Sequence, residues 1–166
     1  MTCFVIMGVS GCGKTSVGMA LSKGLGIGFV DGDDLHPDAN IQKMAQGDPL
    51  NDTDRAPWLV RVGQTLAAHT DPIAVGCSAL KKNYRDIIRL LAKEPVHFLH
   101  LDAPKFVLAQ RVLAREDHFM PTSLLDSQFD ALEPLSPDEL GRSIDISVPF
   151  DDVVRAAKTY VKETIG

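Results

Sequence analysis

Cysteine is scarce: the 166-residue chain holds three, Cys3, Cys12 and Cys77. An odd number without metal-ligand spacing argues against a disulfide framework or a structural zinc site, so all three read as reduced thiols. Basic charge is also in deficit, with 17 Lys and Arg against 22 Asp and Glu and a net charge of -5. A partner bound through a phosphate backbone usually meets a basic face, so a nucleic-acid partner is not expected. No apolar run approaches the roughly 20 residues of a membrane span. Met1-Thr2 leads directly into an apolar segment with no room for a secretory leader, so the expected location is the cytoplasm, with no membrane partner. Internal repeats and low-complexity segments are missing as well. What remains is a 45% hydrophobic chain of a length that suits one domain with a real core.

Against that plain background one stretch stands out. Gly8 to Thr15 reads Gly-Val-Ser-Gly-Cys-Gly-Lys-Thr, a full match to the G-x-x-x-x-G-K-[ST] phosphate-binding loop. Cys3 to Met7 before it is an unbroken apolar run, as a strand buried on both faces reads. Ser16 to Leu25 after it places Val17, Leu21 and Leu25 on one helical face, with Gly24 and Gly26 as the stop. In that strand-loop-helix context the glycines let main-chain N–H groups converge on one point, where the helix N-terminus adds partial positive charge. Lys14 then reaches the outer phosphates of a nucleotide, and the Thr15 hydroxyl is placed to coordinate Mg²⁺. Cys12, inside the loop, reads as loop filler.

The rest of the chain alternates strands and helices. Strands are expected at 28–30, 72–77, 96–101 and 143–148, and helices at 35–47, 54–70, 81–92, 105–115, 122–132 and 150–165. Such alternation predicts an α/β fold with a doubly wound parallel sheet covered on both faces. Ligands bind at the C-terminal edge of such a sheet. Asp31 and Asp33 follow the second strand there, two apart, so that one can face a metal and the other an acceptor. The third strand ends without an acidic residue, which makes Asp31 the metal partner. Ile41, Met44 and Ala45 are expected to face inward from the short helix after Asp33. Asp54 is expected to cap the next helix, with Pro57 in its first turn. Arg55, at that helix's start, either points to the ligand edge or pairs locally with Asp52 or Asp54. Lys81 and Arg85 lie in the turns of a later helix nearest the same edge. Arg111 and Arg115, four apart, share a helical face and can act together on phosphate oxygens. Phe106, Ala109 and Leu113 form the apolar side of that helix. His97 and His100 read as packing or surface residues. The helical pair spanning about 112–134, basic at its base, reads as a lid that excludes water or as a static hairpin.

These residues together carry a resemblance. The chain resembles the gluconokinases, within the shikimate-kinase-like and nucleoside-monophosphate-kinase-like P-loop kinases, nearly end to end. The match rests on Met7 to Thr15, on Asp31-Gly32-Asp33 with Leu35-His36-Pro37, and on Asn40 with Lys43-Met44. It continues through Pro49-Leu50-Asn51-Asp52, Asp54-Arg55, Pro57-Trp58-Leu59, Cys77 to Lys81, Tyr84-Arg85 and His118-Phe119-Met120. The resemblance implies one P-loop kinase domain over residues 1–166, with a five-stranded parallel sheet and a helical lid. It implies ATP and Mg²⁺ as cosubstrates and transfer of the γ-phosphoryl to the 6-hydroxyl of D-gluconate, and it suggests a homodimer. Carried over by position, Gly8, Val9, Ser10, Gly11, Cys12, Gly13, Lys14, Thr15 and Ser16 would hold ATP, with Arg111 and Arg115 clamping phosphates from the lid. Thr15 and Asp31 would serve the metal. Asp33 would hold and deprotonate the acceptor hydroxyl, with Lys14 as the other catalytic group. His36, Arg55, Lys81 and Arg85 would bind the substrate, and the stretch after Asp145 would border the adenine. In one departure, Glu116-Asp117 precede His118 where relatives often carry glycine, and carboxylates so near a triphosphate must point outward. The rival expectations are a shikimate or nucleoside-monophosphate acceptor, or a nucleotide-binding module without catalysis. An N-K-x-D guanine-reading motif is missing, which weighs against a GTPase switch.

Overall fold

A strand flanked by other parallel strands is covered on both faces and is therefore apolar at every position, not at alternate ones. β1 (Cys3–Met7) fits this, with all five residues buried. In a computed structural model describing residues 2–114 and 122–166, β1 is the centre of a five-stranded sheet. Its partners are β2 (Gly28–Asp31), β3 (Ile73–Gly76), β4 (Val96–Asp102) and β5 (Gly141–Asp145), in the order β2-β3-β1-β4-β5. Every pairing is parallel, as the five-stranded P-loop kinase reading requires.

The helices cover both faces. Phe4, Ile6, Leu99 and Leu101 point into a core shared with α1 (Lys14–Leu25), α5 (Lys105–Ala114), α6 (Thr122–Ala131) and α7 (Phe150–Ile165). Cys3, Val5, Val75 and Phe98 point the other way, toward Trp58, Leu59, Val62 and Leu66 of α3 (Asp52–Ala68) and Tyr84 and Ile88 of α4 (Lys82–Ala92). Among the described residues no helix is long and apolar enough to cross a membrane.

Several local expectations are corrected. The fifth strand runs over 141–145, two residues earlier than expected, because its partners on β4 run from Phe98 to Asp102. The Asp145 carboxylate then accepts from the Ser147 N–H at 2.9 Å and its hydroxyl at 2.6 Å, a local turn that ends the strand. Helix 35–47 is split into a 3-10 turn (Gly32–Leu35) and α2 (Asp38–Ala45). Ile41, Met44 and Ala45 are exposed and the buried residue of α2 is Asn40, because α2 packs against polar backbone at the start of α3. The cap of α3 is Asn51, not Asp54. Asn51 accepts from the Asp54 N–H at 2.8 Å while Asp54 accepts from the Asn51 N–H at 3.0 Å, a reciprocal capping box. With the helix starting at Asp52, Pro57 falls in its second turn. On α5, Phe106 and Leu113 are 67% and 78% exposed, and Leu108 and Val112 are buried instead. Both stripes are apolar at helical spacing, and contact with the phosphate loop selects the second.

Candidate active site

The sheet delivers its C-terminal edge as one platform. Ile6 and Asp31 both pair with Gly76, so the loop after β1 and the turn after β2 leave the sheet at one level, one strand apart. The loop from Gly8 to Thr15 then closes in conformations that only glycine adopts freely. Gly8, Gly11 and Gly13 have φ of 146°, 83° and 95°. A Cβ on Gly8 would lie 2.7 Å from Cys12 Sγ, and one on Gly11 would lie 2.9 Å from Val112 Cγ2. Lys14 folds back over this loop and donates to the Gly8 and Val9 carbonyls at 3.0 and 3.2 Å. The Ser10 N–H donates to Gln128 Oε1 at 2.6 Å and Gln128 Nε2 donates to Ser10 Oγ at 2.8 Å. Helix α6 therefore rests directly on the phosphate loop. Cys12 is buried, and burial pushes its thiol up despite nearby Lys14, which keeps it from being a reactive thiolate.

Thr15 Oγ1 donates to Asp31 Oδ2 at 3.2 Å, bringing the two expected metal residues together. Their oxygens are hard donors of the kind Mg²⁺ takes. No group of three or more metal-binding side chains occurs among the described residues. A bound Mg²⁺ would draw its other positions from phosphate and water, which is how that ion is usually held in kinases. Asp31 Oδ1 also accepts from the Asp33 N–H at 3.0 Å, capping the 3-10 turn and fixing where Asp33 starts. Asp33 lies at the cleft surface. Desolvation, then the Asp31 carboxylate, raise its pKa above the usual aspartate value, and Lys14 and His36 oppose them.

The opposite wall is built by α3 and α4. The Tyr84 hydroxyl donates to Asp52 Oδ1. Arg55 Nη1 lies 3.4 Å from the Tyr84 hydroxyl and 3.8 Å from Asp52 Oδ1, and Lys81 Nζ lies 3.6 Å from Asp52 Oδ2. Arg55 and Lys81 also stand over the Tyr84 ring, at 5.7 and 5.6 Å from its centroid. The local pairing of Arg55 with Asp52 is therefore present, yet two cations share one carboxylate and the cluster keeps a net positive charge. The Tyr84 hydrogen bond, with the two cations behind it, lowers the Asp52 pKa.

Arg85 does not join this wall. Its side chain is 0% exposed and all five of its N–H groups are engaged. Nε and Nη2 hold Glu139 at 2.7 and 2.9 Å, Nη1 donates to the Ala79 and Leu80 carbonyls, and Nη2 also donates to the Pro134 carbonyl. The expectation that it binds substrate is corrected: Arg85 shapes the loop that carries Lys81. Glu139 went unnoticed in the sequence because it lies in an aperiodic Pro-rich acidic loop, where nothing marks a buried partner. Tyr84 and Gln128 were legible only as helix residues.

Arg111 donates to the Ile146 carbonyl and borders an apolar cleft of about 220 Å³ with Cys12, Val17, Val148 and Phe150. Ile146 and Val148, from the stretch after Asp145, line this cleft. Arg115, the Glu116-Asp117 departure and His118-Phe119-Met120 lie outside the described residues.

Comparison with known proteins bears on the family and the fold. Residues 4–135 match the family model described as AAA domain. The chain is 48% identical to the thermosensitive gluconokinase of Escherichia coli K12 over 139 residues, covering 82% of this chain and 74% of that protein. It is 40% identical to the thermoresistant gluconokinase of the same organism over 164 residues, covering 96% and 93%. The crystal structure of a gluconokinase from Sinorhizobium meliloti 1021 superposes with a TM-score of 0.89 at 42% identity, covering 99% of this chain and 95% of that one.

Proposed function

The chain belongs to the gluconokinase family of P-loop kinases, and from that premise we propose that it transfers the γ-phosphoryl of ATP to the 6-hydroxyl of D-gluconate, giving 6-phosphogluconate and ADP. One observation carries the reading. A chain of contacts ties the phosphate loop to the cationic wall: Thr15 donates to Asp31, Asp31 accepts from the Asp33 N–H, and the Gly32 carbonyl between them accepts from Trp58 of α3, the helix that carries Arg55. It begins beside the lysine of a triphosphate loop and ends at a helix whose arginine suits a carboxylate. An acceptor held between them must combine a hydroxyl with an anionic end, as a sugar acid does.

In this scheme the N–H groups of residues 8–16 seat the outer phosphates and Lys14 neutralises their charge as the bridging oxygen leaves. Asp33 holds the 6-hydroxyl in line and takes its proton. Arg55 and Lys81 bind the gluconate carboxylate, with His36 on a hydroxyl. Arg111 contributes from the base and phosphate side, and the family resemblance assigns Arg115 to the phosphates as well. Thr15 and Asp31 would hold Mg²⁺, which would supply neutralisation of phosphate charge when bound. Lys14 and Asp33 thus divide the chemistry, and the rest of the cleft is positioning. The absence of a membrane-spanning helix among the described residues is in keeping with a cytoplasmic enzyme, and we take its assembly to be a homodimer.

The test is ADP release with ATP, Mg²⁺ and a panel of acceptors. Turnover should appear with D-gluconate and be missing with shikimate and with nucleoside monophosphates. Turnover with either of those instead, or calorimetric ATP binding with no turnover on any sugar acid, rejects the proposal. A second measurement addresses the acceptor wall. Loss of a charged hydrogen bond is worth about 1.5–3 kcal/mol, so Arg55→Ala should raise the gluconate KM roughly 10- to 100-fold while the ATP KM stays within twofold. An unchanged gluconate KM would leave Arg55 as no more than the local partner of Asp52.

A further inference from the structure

His36 follows the 3-10 turn that carries Asp33, and its ring is gripped before any acceptor arrives. It stacks on Trp58 with centroids 4.2 Å apart and planes 15° from parallel. Trp58 is itself anchored, its Nε1–H donating to the Gly32 carbonyl at 2.7 Å. The third grip is Asn40, the one buried residue of α2. Asn40 Nδ2 donates to the Asp54 carbonyl at 2.9 Å and lies 3.2 Å from His36 Nδ1.

This pair of contacts decides a proton. The Asp54 carbonyl can only accept, so the Asn40 atom facing it is the amide nitrogen and not the amide oxygen. The same nitrogen faces His36 Nδ1, and its two N–H groups suffice for both partners. His36 Nδ1 must then accept, which puts the single proton of the neutral ring on Nε2. Nε2 takes no hydrogen bond among the described residues. The charged groups that act on the ring are Asp33 from its own turn and Arg55 from α3, the two sides of the acceptor cleft. Burial lowers the His36 pKa and Arg55 adds to this, against the pull of Asp33.

We propose that Asn40 is a positioning residue that holds His36 as the Nε2–H tautomer, so that His36 presents one fixed N–H donor to a hydroxyl of the acceptor. The identity of that acceptor rests on the function proposed above. The physical gain is orientation. A neutral imidazole free to change tautomer would offer Nε2 as an acceptor part of the time, beside Asp33, which also accepts. A hydroxyl has one proton to give and would face two acceptors. With the proton pinned on Nε2, Asp33 takes the hydrogen-bond donors of the sugar acid and His36 serves its lone pairs.

The test begins with the intact protein. A long-range ¹H–¹⁵N correlation spectrum of ¹⁵N-labelled enzyme at neutral pH should show His36 with Nδ1 unprotonated and Nε2 protonated. On saturation with D-gluconate the Nε2 resonance should move. A proton on Nδ1, or an Nε2 resonance that gluconate leaves in place, overturns the proposal. Kinetics gives the second readout. Asn40→Ala should raise the gluconate KM about five- to tenfold, the equivalent of one hydrogen bond, with the ATP KM unchanged. His36→Gln, whose amide N–H reaches toward the Nε2 position, should retain part of the affinity that His36→Ala loses. Adding Asn40→Ala to His36→Gln should then change KM no further, since the tautomer it governs is gone. Fully additive effects would make Asn40 a packing residue and overturn the assignment. Failure of the wild type to turn over gluconate rejects the function proposed above, whereas a wrong tautomer in an enzyme that does turn it over rejects this assignment alone.

Discussion

Asp33→Asn should lower kcat by roughly 10²- to 10⁴-fold and leave ATP binding nearly intact. The amide keeps the size and one acceptor oxygen of the side chain but cannot take a proton, so binding geometry survives and the proton transfer does not. The pH dependence makes the expectation sharper. The carboxyl faces Asp31 and Asp34, which disfavour its charge along with desolvation, and Lys14 and His36, which favour it; the net effect raises its pKa above 3.8. A base must be ionised, so in the wild type kcat/KM should fall as pH drops through a value above that of an ordinary aspartate. In the variant this acid limb should vanish. Stability should move the other way. A carboxyl whose pKa is raised on folding binds protons more tightly in the native state, so its charge costs stability at neutral pH. Asp33→Asn should therefore melt at the same temperature as the wild type or slightly higher. Near-normal turnover in a well-folded variant would remove Asp33 from the base role.

Glu139→Ala should cost about 3–5 kcal/mol of folding stability, measured by urea or thermal unfolding, with activity lost through the fold. For a domain of this size that corresponds to a drop of roughly 6–20 °C in melting temperature. The Glu139 side chain is 1% exposed and receives both Arg85, which is fully buried, and Arg89. It also accepts from the Ser136 N–H at 3.1 Å. Burial alone would raise the Glu139 pKa, but the hydrogen bonds from Arg85, Ser136 and Arg89 outweigh it and hold the carboxyl well below the usual range. Removing it leaves the Arg85 charge buried with only carbonyls for company, and takes away the buried ion pair between the loop 132–140 and α4, leaving the exposed Lys82 contacts with Glu133 and Asp138. Ala79, a non-glycine residue at φ 44°, is one of those carbonyl partners. Because the native pKa is depressed, the stabilisation is complete above the ordinary glutamate value of 4.5 and disappears only as pH falls below it. Glu139→Gln should be milder, keeping the shape and losing the charge. A loss under about 1 kcal/mol in Glu139→Ala would show that the cluster is no more than an ion pair that solvent can replace.

Both sites show how far a sequence can be read. Asp33 was legible as a candidate because position alone singles it out: it stands two residues past the end of β2, at the edge where open sheets bind ligands. Glu139 was not, since its meaning comes from Arg85, 54 residues away. Arg85 itself was misread for the same reason. At the ligand end of α4 an arginine is as suited to substrate as to a buried carboxylate, and only the fold supplies the carboxylate. The apolar faces of α2 and α5 were misjudged on weaker grounds. Phe106 with Leu113 satisfies helical spacing, but so does the buried pair Leu108 and Val112, and periodicity does not rank two apolar stripes; Ile41 with Met44 satisfies it on α2, where the fold buries polar Asn40 instead.

The sequence by itself determined what local backbone chemistry determines: the glycine-rich loop, its strand and helix, the acidic turn after β2, and the alternation that makes the sheet parallel. Each is written in contiguous residues whose conformational preferences point one way. Tertiary structure alone decided which helix faces turn inward, that Arg85 is spent on Glu139, that Gln128 rests on the phosphate loop, and that Asn40 meets His36. Those choices depend on partners brought together from distant parts of the chain, and the free energy of burying or satisfying a polar group is set by the partner it finds.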